Sequence, residues 1–322
     1  MKRIHTIWLA LLILLLSGMG AAVLGQSYPT KPIVYICQAS AGGSSDRFMR
    51  NVAKMVEDQK LISVPLTIDY KAGGGGAIAF NYMRGKAGDP YYLLNASGNF
   101  IAAPLRDPSV PGYKDFTPIA LLAFDLNTVV VPANSPYKTL KDLVAAAKAN
   151  PGKISWAGTS VGSQDHLSIL LFQRITGTKF SFISFTGSSE IVAAALGGHV
   201  NVACMEPWVA KPQAEAGKLR ILGLVAEKRL DPLPDLPTLK EQGYDVVLSM
   251  QRGVVAAGNI PKEARDYLIN AFKKLSTSKE WKEYLAKEGV MDASLTGDEY
   301  VRFLAEETAK WADLQREAGL IK

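Results

Sequence analysis

The stretch Ile33-Val-Tyr-Ile-Cys-Gln-Ala-Ser-Ala-Gly-Gly-Ser-Ser-Asp46 starts as an apolar run and breaks into glycine and serine. It reads as a strand (Ile33–Gln38), a tight loop (Ser40–Asp46) and the start of a helix, the repeating unit of α/β proteins. The rhythm continues through further strand-like runs at Val64–Tyr70, Tyr91–Asn95, Thr128–Pro132, Ile154–Ala157, Phe180–Phe185, Val200–Met205, Arg220–Ala226 and Val246–Ser249. Helical patterns lie between them. Leu140–Ala149 has apolar residues at helical spacing and stops at Asn150-Pro151-Gly152, because proline disfavours helical geometry in the residue before it. Near the C-terminus, Thr296 and Glu299 predict a capping box, and Tyr300, Phe303, Leu304, Trp311, Leu314 and Ala318 predict one buried stripe, with Thr308 its polar member.

A chain of 322 residues has room for about two domains. Its 48% hydrophobic and 20% charged residues are those of a folded protein and exclude disorder. Lys2 and Arg3, the apolar run Ile7–Leu16 and the small residues of Ser17–Ala22 predict a cleavable secretory signal over residues 1–25, with no lipobox cysteine before Gln26. Its removal takes the net charge from +6 to +4, since Lys2 and Arg3 are its only charged residues. So mild a balance, with no basic block interleaved with aromatics, speaks against nucleic acid as a partner. No later segment is apolar for the roughly 18 residues of a membrane span. Cys37 and Cys204 would meet an oxidising compartment, where a disulfide is open to them, but each sits in a strand-like apolar run that suits a buried thiol. His166 and His199 are far apart without partners at ligand spacing, so no metal site is implied. The Pro-rich segment Asp231–Pro237 reads as a rigid surface loop.

Four Gly/Ser-rich loops each follow a predicted strand and open a predicted helix: Ser40–Asp46, Ala72–Ala77, Gly158–Asp165 and Thr186–Glu190. Glycine lets the backbone approach a ligand, and a helix start offers unpaired N–H groups with partial positive charge. Turns and caps use the same residues, but four such loops at the carboxyl ends of strands predict an anion-binding crevice. Two enzyme readings compete. Gly158-Thr-Ser-Val-Gly162 matches a hydrolase nucleophile elbow centred on Ser160, yet only His166 and His199 follow it and neither is late in the chain. Gly74-Gly-Gly-Ala-Ile-Ala79 matches a loose dinucleotide fingerprint but lacks an acid at the end of the next strand, so no cofactor is implied.

In order along the chain come Tyr28-Pro-Thr-Lys-Pro-Ile33, Gly42-Gly-Ser-Ser-Asp46, Ala72-Gly-Gly-Gly-Gly76, Asp115-Phe-Thr-Pro118, Pro151-Gly-Lys153, Gly162-Ser-Gln-Asp-His-Leu167, Leu196-Gly-Gly198, Ala216-Gly-Lys-Leu-Arg220 and Leu236-Pro-Thr238. This set, covering essentially the whole mature chain, resembles the Bug-type, or tripartite tricarboxylate transporter, extracytoplasmic solute receptors. The resemblance implies a type II periplasmic binding protein: two Rossmann-like α/β lobes joined by crossover strands, closing on a small carboxylate held mainly by backbone amides. It implies no catalysis, a periplasmic location, permease subunits or a sensor as membrane partner, and a monomer. Lobe one would comprise 26–124 plus 227–322 and lobe two 125–226, with crossings near Phe124–Val130 and Leu222–Glu227.

Carried over by position, the ligand-binding residues are Ser40, Ala41, Gly42, Gly43 and Ser44 in the first loop, Gly74, Gly75, Gly76 and Ala77 in the second, and Ser97. In the second lobe they are Thr159, Ser160, Gly162, Ser163 and Gln164, then Thr186 and Gly187, and finally Glu206; Asp46 and His166 organise loops. Gln38-Ala-Ser40, Asp69-Tyr-Lys71, Phe185-Thr-Gly187 and Met205-Glu206 depart from the family pattern, which leaves the ligand open. Arg47 is the only arginine in these loops, so amides at Gly162–Gln164 and Gly75–Ala77 are the predicted anion donors. Glu206 would repel a carboxylate unless it lies outside the pocket or meets an amine or amide. Trp208 is a cleft candidate by position.

Overall fold

The computed structural model describes residues 28–159, 161–185, 188–230, 233–248 and 250–322. The predicted signal, Ser160, Thr186, Gly187 and Ser249 lie outside the described residues. The chain first lays down β1 (Ile33–Cys37), β2 (Leu66–Tyr70), β3 (Tyr92–Ala96) and β4 (Thr117–Asp125). It then forms β5 (Asn127–Pro132), β6 (Ser155–Gly158), β7 (Ser181–Ser184), β8 (Val202–Met205) and β9 (Leu219–Val225), and returns for β10 (Met250–Ala256) and β11 (Met291–Thr296). One sheet runs β11-β4-β10-β3-β1-β2 and the other β7-β6-β8-β5-β9. Both are mixed: β1 pairs parallel with β2 and β3, β6 parallel with β7 and β8, while β4, β5, β9, β10 and β11 bring antiparallel pairings. The result is the two-lobed α/β architecture of type II binding proteins. Cys37 and Cys204, one in each sheet, are free buried thiols.

The helices are α1 (Ser44–Asp58), α2 (Ala77–Arg84), α3 (Asn99–Arg106), α4 (Leu140–Ala149), α5 (Gln164–Thr176), α6 (Ser188–Leu196), α7 (Pro207–Glu215), α8 (Lys262–Thr277), α9 (Lys279–Glu288) and α10 (Asp298–Glu317). None among the described residues is long and apolar enough to cross a membrane. α4 begins at a Thr139 cap whose hydroxyl accepts from the Asp142 amide at 3.1 Å, while Asp142 answers the Thr139 amide at 3.0 Å. α10 buries Tyr300, Leu304, Trp311 and Leu314 of the predicted stripe; Phe303 is half-buried and meets Phe124 of β4 at 5.4 Å between ring centres, Thr308 is half-buried, and Ala318 is the residue that follows the helix. Its cap differs from the prediction: Thr296 is spent as the last residue of β11, and Gly297, at φ 52°, precedes the helix without a side-chain cap bond.

Three further differences concern strands. Val246–Leu248 is buried but irregular, and the ladder starts only at Met250. β4, buried along most of its length, carries no alternation to mark it. β11 is a half-exposed edge strand with a register shift between Asp292 and Leu295. Only Leu126 separates β4 from β5. On the return path the chain stays against the second sheet after β9: the Leu239 amide donates to the Leu224 carbonyl at 2.8 Å, and Tyr244 packs on Phe172 of α5 at 5.3 Å. It rejoins the first sheet at Met250.

Candidate functional site

The first glycine-rich loop turns from β1 into α1 around a buried carboxylate. Asp46, 4% exposed, accepts from the Gly42 amide at 2.7 Å, the Tyr70 hydroxyl at 2.6 Å and Arg50 Nε at 2.8 Å. Burial alone would raise its pKa; those three donors outweigh it and hold the carboxyl below its ordinary range. Arg252 of β10, 1% exposed, supports the helix start from inside. Its Nε donates to Asp125 at 2.7 Å, Nη1 to Ser45 Oγ at 2.9 Å and Nη2 to Ser44 Oγ at 3.1 Å. Both serine oxygens therefore act as acceptors, leaving their hydroxyl hydrogens free to turn elsewhere. Ser40, Ala41, Gly42 and Gly43 are exposed above this frame.

In the second loop Gly73, Gly74, Gly75 and Gly76 all have positive φ, from 58° to 122°. Gly76 also lies where a Cβ would come within 2.6 Å of the Phe80 ring and 3.0 Å of Gln38 Oε1. The turn uses its own donors: the Gly76 amide bonds to the Gly73 carbonyl at 3.0 Å and the Ala77 amide to that of Gly74. Those two predicted anion donors are thus already engaged. Ser97 is buried at the start of the turn into α3, where its hydroxyl accepts from Gln38 and its carbonyl from Gln251 at 3.4 Å. It braces loops from below, where the sequence predicts a ligand contact.

The second lobe repeats the device. Asp165, 7% exposed near the start of α5, accepts from the Thr159 amide at 2.7 Å, the Thr159 hydroxyl at 2.8 Å and Asn127 Nδ2 at 2.5 Å. His166 accepts the Gly162 amide on Nδ1 at 3.0 Å and stacks on Phe182 at 4.2 Å. Burial lowers its pKa, which favours the neutral ring that this acceptor role requires. Ser163 caps α5 by accepting from the His166 amide at 3.4 Å. Two assignments change here. The Gly162 amide is spent on His166, and Gln164, buried, donates Nε2 to the Leu248 carbonyl at 2.8 Å. Glu206 caps α7 by position but bonds to Ser188, whose hydroxyl donates to Oε2 at 2.9 Å.

Two arginines of the first lobe reach the second. Arg106, the last residue of α3, donates Nη1 to the Val161 carbonyl at 2.8 Å; a Cβ on Gly162 would lie 3.3 Å from that nitrogen, and one on Gly75 3.9 Å from Nη2. Arg47 places its guanidinium 4.0 Å from the Trp208 ring centre and pairs with Glu288 at 2.5 Å. Arg106 therefore stands between the Gly75 and Gly162 turns, and Arg47 lies against Trp208. Sequence patterns single out neither Arg106 nor Arg252. A groove of about 490 Å³ lined by Arg84, Lys114, Phe116 and Arg265 lies at the other end of β4 from Asp125, away from these loops. Among the described residues no group of His, Cys, Asp and Glu is placed to hold a metal ion.

Residues 48–320 match the model of the tripartite tricarboxylate transporter family receptors, TctC. The chain belongs to that family. It is 33% identical over 313 residues to a Cupriavidus necator protein described as the UPF0065 protein in the gbd 5′ region, covering 95% of this chain and 93% of that one. It is 30% identical over 312 residues to Protein BugT of Bordetella pertussis, covering 94% of each. Among solved structures, a TctC solute binding protein from Polaromonas without ligand matches with TM-score 0.77 at 26% identity, covering 90% of this chain and all of that one. An R. palustris protein solved with adipate matches with TM-score 0.81 at 25% identity, covering 91% and 99%. The Bug-type resemblance and the two-lobed fold hold, and the family is one of solute receptors.

Proposed function

We propose that this TctC-family chain is a periplasmic receptor that captures a small carboxylate between its lobes and delivers it to membrane subunits of a tripartite transporter or to a sensor. The observation that carries this reading is the set of glycine-rich helix starts, Gly42–Ser45 and Val161–Gln164 each followed by a buried aspartate, with Arg106 bridging the Gly75 turn of the first lobe to Val161 of the second. Helix-start amides and serine hydroxyls attract an anion, and the Arg106 guanidinium adds charged donors to the amides. The adipate found in the R. palustris relative supports a carboxylate. In this reading the exposed loop residues Ser40–Gly43 and Gly74–Gly75, with Ser44, Thr159, Ser160, Ser163, Thr186 and Gly187, meet the ligand, while Asp46, Ser97, Gln164 and His166 hold them in place. A monomer suffices for such a site. For hydrolysis at Ser160, His166 is a poor partner through Nδ1, which it spends on the Gly162 amide. A thermal-shift screen of dicarboxylates, aromatic acids and amino- or amide-bearing acids tests the reading. A ligand at about 100 times its Kd stabilises the fold by about 2.7 kcal/mol. A panel with no stabilising acid, or ester turnover abolished by Ser160→Ala, would refute it.

A further inference from the structure

Five carboxylates lie near the meeting of the lobes, and four are answered by the protein, Glu288 by Arg47. Asp46 has Arg50, Tyr70 and the Gly42 amide; Asp125 has Arg252; Asp165 has Thr159 and Asn127. Glu206 is different. It stands half-buried at the end of β8, two residues before the Trp208 ring on which Arg47 of the other lobe lies. Among the described residues its donors are neutral, the Ser188 hydroxyl at 2.9 Å and its own backbone amide, and no lysine or arginine pairs with it. The charged groups that act on it are Asp165 from α5, Asp125 from the end of β4 and Arg252 from β10, and that arginine is committed to Asp125, Ser44 and Ser45. A carboxylate withdrawn from water without a cation is costly, and an acid on the wall of an anion site repels the anion.

We propose that Glu206 is the second recognition element of the site and selects a carboxylic acid whose far end carries an ammonium group. The ligand's carboxylate meets the helix starts, and its ammonium supplies the cation that Glu206 lacks, donating to the carboxylate beside the Ser188 hydroxyl. Burial, with Asp125 and Asp165 pushing the same way, holds the empty-site Glu206 above the usual carboxylate range; a bound ammonium reverses that preference. This inference rests on the carboxylate-receptor reading and deepens it.

Isothermal titration with acids matched in length and differing only at the far end tests it: succinate against β-alanine, glutarate against γ-aminobutyrate, adipate against δ-aminovalerate. At about pH 8, where the amines are protonated, the best amino acid should bind at least about tenfold tighter than its matched diacid. Glu206→Gln should abolish that preference, and Glu206→Asp, which keeps the charge, should retain part of it. Tighter or equal binding of the diacids by the wild-type protein, or a preference for the amine that survives Glu206→Gln, would overturn the proposal while leaving the carboxylate reading intact. Failure of every acid to bind would overturn both.

Discussion

Asp46 takes the Gly42 amide and Asp165 the Thr159 amide, each at 2.7 Å, so each of these two loops rests on a buried carboxylate. Asp46→Asn should cost about 1–3 kcal/mol, because a charged acceptor with three donors becomes a neutral one. Its pKa is depressed by folding, so the stability it adds is present above the unfolded value of about 3.9 and is lost as pH falls through the folded value. Wild-type urea midpoints should therefore drop more steeply on acidification than those of Asp46→Asn. His166 has the opposite charge type. Burial lowers its pKa, so protonation favours the unfolded chain and stability declines as pH falls below about 6.5; an NMR titration midpoint above that value would contradict the neutral, Gly162-accepting ring. Burial also raises both Cys37 and Cys204, and a disulfide reagent should leave them unmodified until denaturant is added. Asp46 and His166 are legible in the sequence because a loop supported by the first turn of its own helix is a local event. Arg106 and Arg252 are not, since their partners lie 55 and 127 residues away.

Glycine in the second loop serves conformation and packing more than donation. At φ 100°, with the Phe80 ring where a Cβ would go, Gly76→Ala should cost about 2–4 kcal/mol and lower the melting temperature with or without ligand. Unchanged stability with lost binding would instead make Gly76 a ligand contact. Strands such as β1, β3 and β8 are visible as apolar runs bounded by glycine and polar residues. β4 is a continuous apolar run that periodicity cannot assign, whereas β11 alternates Met291, Ala293 and Leu295 with polar residues, a short and only half-buried signal on an edge strand. Val246 and Leu248 carry strand-like hydrophobicity and are buried, yet Leu248 gives its carbonyl to the Gln164 side chain of α5 rather than to a neighbouring strand, and the ladder starts at Met250. Burial sets the composition of such a segment, and pairing sets its conformation.

Across the molecule, Arg106 and Arg47 clasp the two lobes from the first side, one through a carbonyl and the other through an aromatic face. Arg106→Gln should leave the melting temperature within a few degrees while weakening acid binding about threefold to tenfold through faster release, a loss surface plasmon resonance reads as koff. An unchanged koff would mean that the Val161 contact contributes nothing to closure. The two-sheet plan is legible in the alternation of strands and helices, whereas the antiparallel returns of β4, β10 and β11 required the fold itself. Leu126, 1% exposed, alone separates β4 from β5. So short a splice leaves the sheets almost no freedom to slide, and what remains is rotation about a pivot. With an arm of about 20 Å, the length of a typical strand, a turn of about 10° swings a loop tip through about 3–4 Å. That arc exceeds the 2.8 Å length of the Arg106 bond, so a turn of about 10° about this splice works as a lever that makes or breaks that contact.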